Sequence, residues 1–182
     1  MEKLSKEEIK KTQLDLLKFL KYICEKNNIN YFINYGTLLG AVRHKGFIPW
    51  DDDVDISMYR EDYNKLIEAI NIENHPKYKI INYYNSNWYF HNFSILVDVT
   101  TIIPDNYKKI RQDTHLFIDI FPIDKFNSKK IFKRLHIYNS LRRFSQYKKE
   151  YIINNDSKIK DFIRISIWYI LYFVNPRFFT KK

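Results

Sequence analysis

Cysteine is nearly absent from this sequence. Cys24 is the only one in 182 residues, which excludes an intramolecular disulfide and a cysteine-based zinc site and favours a reducing compartment. Glycine is scarce, with three residues, and proline numbers five, so flexible linkers and collagen-like repeats are excluded. The chain is 45% apolar and 18% aromatic, which excludes intrinsic disorder. The apolar run Ile165–Val174 has ten residues, well short of the roughly 20 that cross a bilayer. The amino terminus is charged and amphipathic and lacks the apolar segment of a secretory signal, so a cytoplasmic location is expected. The length suits one ordinary domain, or one domain with a helical appendage.

The formal charge of +10 is unevenly placed: through residue 122 there are 16 basic and 17 acidic residues, and after it 15 basic and 4 acidic. Basicity belongs to the C-terminal part, which suits an anionic partner or simply a solvated face. Capping-box spacing at Ser5 and Glu8, followed by apolar residues at helical intervals, predicts a helix over about 6–26. Strands are predicted at 31–35, 53–58, 78–84, 88–99 and 115–121, with an irregular stretch around Pro104. A helical turn is expected over 37–42, and helices over 61–70, 128–150 and 158–174. The composition shift near 122–127 divides a 1–124 core from a basic helical 125–182 region.

The most informative stretch is Trp50-Asp51-Asp52-Asp53-Val54-Asp55-Ile56, with four carboxylates in five residues. On a strand, Asp51, Asp53 and Asp55 would share one face, while Asp52, Val54 and Ile56 would share the other. Converging carboxylates present hard oxygen ligands to Mg²⁺ or Mn²⁺. An EF-hand is excluded, because Ile56 replaces the required glycine and Asp62 the usual glutamate. An acidic surface turn is the alternative. Asp119, alone in the apolar run Leu116–Pro122, is expected to need a metal or a cation, because an unpaired buried charge is costly. Its alternative role is to cap a strand end.

Asn34-Tyr35-Gly36-Thr37 places a glycine and a hydroxyl at a strand-to-helix turn, where free backbone N–H groups favour phosphate. Arg43, His44 and Lys45 follow as candidate phosphate ligands, with a solvated His44 the alternative. His75, His91, His115 and His136 show no metal-ligand spacing, and His91 and His115 lie in predicted apolar strands where a core histidine is expected.

Taken in order, the blocks GTLLGA (36–41), RHKGFIPWDDD (43–53) and FIDIFPID (117–124) resemble the signature of LicD-type phosphotransferases, over roughly residues 10–125. That resemblance implies an α+β fold with a nucleotidyltransferase-like mixed sheet flanked by helices, and kinship with fukutin-type ribitol-phosphate transferases. It places the glycine turn on Gly36 and Thr37, the paired metal carboxylates on Asp53 and Asp55, the third on Asp119, and a further acidic position on Asp51. Tyr35 stands where a small residue more often precedes the glycine. The implied reaction is metal-dependent transfer of phosphocholine, or a similar group, from a CDP-linked donor such as CDP-choline to a hydroxyl of a glycan or glycolipid acceptor, with CMP leaving. Lipopolysaccharide or teichoic acid modification is the implied setting.

Asp119 or Asp51 would act as base. A choline head group would favour an aromatic surround, for which Tyr31, Tyr35, Trp50, Trp88 and Tyr89 are near in sequence, with core packing the expected role for most of them. Lys158, Lys160 and Arg164, leading into the ten-residue apolar run, suit peripheral contact with an anionic membrane or a core helix equally. A nucleotidyltransferase that releases pyrophosphate is the rival enzyme. A non-catalytic nucleic-acid-binding protein is the rival of another class, and it leaves the acidic cluster unexplained.

Overall fold

The computed structural model describes residues 5–105, 112–125, 129–148, 150, 152–153 and 157–179. Among them the chain forms five α-helices and one five-stranded mixed sheet, an α+β fold whose sheet is flanked by helices. It divides into two compact units, one of residues 1–103 and 115–124, the other of 104–114 and 125–182.

In the first unit, helix α1 (Lys6–Asn27) starts on the capping box: Glu8 N donates to Ser5 Oγ at 3.2 Å and Ser5 N to Glu8 Oε2 at 2.8 Å. It ends at Asn28, whose φ of 53° is the left-handed cap that asparagine tolerates. Strand β1 (Phe32–Ile33) is only two residues long, because Asn34 leaves the strand to cap helix α2 (Tyr35–Arg43), its Oδ1 accepting from Tyr35 N at 2.8 Å. The expected helical turn at 37–42 therefore begins two residues earlier, and the expected strand at 31–35 is shorter.

Strand β2 (Asp55–Tyr59) leads into α3 (Arg60–Glu73), followed by β3 (Tyr78–Ile81), β4 (Ser94–Asp105) and β5 (Gln112–Ile123). Two strand expectations are corrected here. The 88–99 strand starts only at Ser94, and His91 sits in the preceding loop between the rings of Tyr89 and Phe93. Pro104 belongs to β4 rather than to an irregular stretch. His115 lies in β5 as expected but is only half-buried rather than a core residue, its Nδ1 facing Thr101 O at 2.5 Å.

The sheet order is β1-β2-β5-β4-β3, with β1 antiparallel to β2, β2 parallel to β5 and β3 antiparallel to β4. Alternation along the strands makes two apolar layers. Ile56, Met58, Leu96, Ile118 and Ile120 meet Leu16, Leu20 and Ile23 of α1 and Leu66 and Ile70 of α3 on one face. On the other, Ile95 and Val97 pack with Tyr89, Trp88, Phe93 and Phe117.

The second unit holds α4 (Lys129–Gln146), α5 (Lys158–Leu171) and a short 3-10 turn at Pro176–Phe179. Trp168 of α5 is buried and its Nε1 donates to Tyr147 O at 3.0 Å, just past the end of α4. Among the described residues no helix is long and apolar enough to cross a membrane.

Gly40 lies where α2 meets the loop that follows it. A Cβ there would come within 2.5 Å of Gly46 O and 3.1 Å of Ile48 N, both backbone atoms that cannot swing aside. Gly40→Ala is expected to destabilise the chain by about 1–3 kcal/mol. A urea melt should show a lower midpoint at unchanged slope.

Candidate functional site

The site forms where the α2 turn, the loop before β2 and the adjoining strands β2 and β5 meet. Residues 51–54 are coil, so β2 begins at Asp55 rather than at Asp53 as expected. Strand alternation therefore does not govern Asp51–Asp53. Asp52, expected to face away, joins its neighbours instead: Asp51, Asp52 and Asp53 bring ligand oxygens within 4.8 Å of one another. From Asp55 onward alternation holds. Ile56 and Met58 enter the core, while Asp55 and Ser57 take the opposite face.

Parallel pairing then sets Asp55 directly beside Asp119, and Asp119 N donates to Val54 O at 2.8 Å. Since Ile118 and Ile120 enter the α1/α3 core, Asp119 shares the opposite face with Phe117 and Phe121. Five carboxylates thus gather from two segments. Among the described residues none of them forms an ion pair with a lysine, arginine or histidine.

The electrostatic consequence is marked. Burial, a hydrogen bond with the Asp51 carboxyl and repulsion from Asp55, Asp51 and Asp52 push the Asp53 carboxyl up to about 6, from an ordinary 3.8. Burial and repulsion from Asp55 and Asp53 push Asp119 up to about 7. Burial and Asp51 also raise Asp55, which is 8% exposed. Among the described residues this surplus negative charge has no ion-paired lysine, arginine or histidine.

Neighbouring groups hold this arrangement in place. Asp55 N donates to Thr37 Oγ1 at 2.8 Å, and Asn34 N to Asp55 O at 3.0 Å. Asn34 Nδ2 donates to Ser57 Oγ at 2.9 Å. Gly36 lies against Asp51: a Cβ at this position would run into Asp51 Oδ2. From α1, Gln13 Nε2 donates to Asp52 O at 2.7 Å, and Lys10 Nζ to Ile48 O and Pro49 O, each at 3.3 Å. Gly36 and Thr37 occupy the second and third positions of α2, so their N–H groups have no intrahelical acceptor. Tyr35 has φ 43°, a left-handed conformation unusual for a bulky residue, and its ring meets Phe121 edge-on at 5.7 Å.

Gly36, Thr37, Asp51, Asp53, Asp55 and Asp119 are thus drawn together by contacts, pairing or shared charge. Arg43, His44 and Lys45 are not joined to them: they lie at and beyond the C-terminal end of α2, exposed, with no ion pair to the acids among the described contacts. Trp50 is 77% exposed and meets the His44 ring at 6.1 Å. Of the aromatic residues expected around a choline group, Trp88 and Tyr89 belong to the layer on the Asp119 face, and Tyr35 touches Phe121 there. Tyr31 packs against the opposite core.

Gln13, Asn34 and Ser57 were not singled out from sequence. Ser57 was within reach of the alternation argument, two residues from Asp55, and Asn34 is a typical cap residue. Gln13 carries no local signal, because its partner lies 39 residues away.

Compared with known proteins, the chain matches the family described as LicD/FKTN/FKRP, nucleotidyltransferase domain, over residues 28–160. It belongs to that family. The lipopolysaccharide cholinephosphotransferase LicD of Haemophilus influenzae is 41% identical over 80 residues, 44% of this chain and 30% of that protein. An uncharacterized protein of Rickettsia prowazekii is 47% identical over 68 residues, 32% of this chain and 26% of its own. The human ribitol 5-phosphate transferase FKRP is 48% identical over 40 residues, 22% of this chain and 8% of its own. These matches span less than a third of each relative's length.

Asp53 and Asp119 bind protons more tightly folded than unfolded, so the stability these two groups contribute is fully present below the ordinary carboxylate range. It is lost as pH rises through about 6 and about 7. In buffer stripped of divalent cations, the melting temperature is expected to fall between about pH 4 and pH 7 relative to a Asp53→Asn/Asp119→Asn double variant. Parallel melting curves across that range would contradict the clustering.

Proposed function

We propose that this chain carries the active site of a metal-dependent phosphotransferase. It would move phosphocholine, or a similar phospho-substituent, from a CDP-activated donor to a hydroxyl of a cell-surface glycan precursor, releasing CMP. One observation carries the reading: five carboxylates share a site and, among the described residues, no basic side chain is paired to any of them. Membership of a family that contains a cholinephosphotransferase and a ribitol 5-phosphate transferase supports the transferred class.

The donor set fits a hard divalent cation. Every candidate ligand is a carboxylate oxygen, and Asp53, Asp55 and Asp119 are raised by burial first and by repulsion among the acids second, both of which a bound cation would offset. Mg²⁺ or Mn²⁺ when bound supplies charge neutralisation for a diphosphate and for the oxygens that enter and leave phosphorus. Asp53, Asp55 and Asp119 would hold the ion, with the Asp51 and Asp52 carboxylates beside Asp53. The N–H groups of Gly36 and Thr37 donate to phosphate oxygens, helped by the positive end of α2. Thr37 Oγ1, already accepting from Asp55 N, fixes the turn against the metal strand. The half-buried Asp119 orients the acceptor hydroxyl and takes its proton as that oxygen attacks the distal phosphorus in line.

Chromatography of nucleotides after incubation with CDP-choline, Mg²⁺ and a hydroxylated glycan tests the proposal. CMP formation that depends on the metal and the acceptor is expected. Pyrophosphate release from a triphosphate would favour the rival nucleotidyltransferase, and absence of turnover with tight nucleic-acid binding would overturn an enzymatic role. Asp119→Asn is expected to slow transfer by about 100-fold or more, and Asp53→Asn and Asp55→Asn to abolish it. All three should melt at or above the wild-type temperature in metal-free buffer, because each removes repulsion. Mg²⁺ should raise the melting temperature of the wild type more than that of any variant.

A further inference from the structure

α5 turns two different sides outward and inward. Its buried residues are Asp161 and Trp168, while Ile159, Phe162, Ile163, Tyr169 and Ile170, with Phe173 just beyond the helix, are 52–92% exposed. At 100° per residue these six fall within one arc of about 120°, which they share only with Ser166, whose Oγ donates back to Phe162 O at 2.9 Å, so they form a largely apolar stripe. A helix of 14 residues is about 21 Å long, too short to cross a bilayer but able to lie in its surface.

Charge selects the occupant of this stripe. After residue 124 the chain has 15 basic and 3 acidic residues. Lys158 and Lys160 are exposed at the start of α5, on either side of the apolar arc. The single acid of the helix, Asp161, is 9% exposed and neutralised by Arg164 Nη1 at 2.7 Å. The stripe therefore has a basic setting and no exposed negative charge of its own. A second copy of the chain would bring like charge against like. We propose that α5 is a membrane-surface helix, which inserts Ile159, Phe162, Ile163, Tyr169, Ile170 and Phe173 among the acyl chains of an anionic lipid surface while Lys158 and Lys160 meet its head groups. This does not depend on the phosphotransferase reading, because it is measured without donor or acceptor.

Co-sedimentation of the full chain with phosphatidylcholine vesicles, with or without about a quarter phosphatidylglycerol, tests it at about 0.1 M salt. Binding to the anionic vesicles only is expected. Phe162→Ser/Ile170→Ser should reduce it at least about tenfold, and Lys158→Glu/Lys160→Glu by at least about fivefold for each lysine. Ile159→Ser, a single change at a 75% exposed position, supplies a variant whose fold is least disturbed, with circular dichroism as the check. Three results would overturn the proposal: no binding to anionic vesicles, equal binding by wild type and the apolar variants, or light scattering at twice the chain mass that the same apolar changes abolish. The last would assign the stripe to a second copy.

Discussion

Parallel pairing of β2 with β5 is the constraint on which the rest depends. It sets Asp55 beside Asp119 on a sheet face where like charges repel. Ladder hydrogen bonds and the layer of Ile56, Met58, Ile118 and Ile120 on the reverse face outweigh that repulsion, because the same backbone that buries the isoleucines must present the aspartates. Stability and electrostatic tension are thus carried by alternate residues of the same two strands.

The acid loop is secured from three sides. Gly36 of α2 leaves room for the Asp51 carboxylate, Thr37 holds the start of β2, and Gln13 and Lys10 of α1 hold backbone carbonyls of the loop. Loops without regular structure are usually where a domain gives way first. Here the coil that carries the densest charge is tied to two helices. Its carboxylates stay close although repulsion alone would spread them.

Much of this was legible in the sequence, for reasons that differ from element to element. The long helices announced themselves by periodicity and a capping box, and Val54 and Ile56 by their place beside the acids. Asp119 stood out as a lone charge in an apolar strand. The start of β2 was misjudged because alternation was extended into Asp51–Asp53, where charge density and the neighbouring turn hold the chain in coil. The late start of β4 had a related cause: Trp88, Tyr89 and Phe93 have strand-like composition, yet they serve as a folded-back aromatic layer. Arg43, His44 and Lys45 were singled out because they follow Gly36 closely in sequence; that reading carries no distance, and α2 sets its two ends about 12 Å apart.

Asp55 and Asp119 are neighbours in the sheet but 64 residues apart along the chain, and α3, β3 and β4 are threaded between them. Closing so long a loop is paid in chain entropy before any contact rewards it. The pairing is therefore expected to follow α1 in folding, whose turns form from local contacts. A nascent chain that has emerged only as far as β4 contains the acid loop and the α2 turn, but not the strand against which β2 aligns. Assembly of the carboxylate cluster is in this sense a checkpoint on folding, passed only once β5 has been added to the sheet.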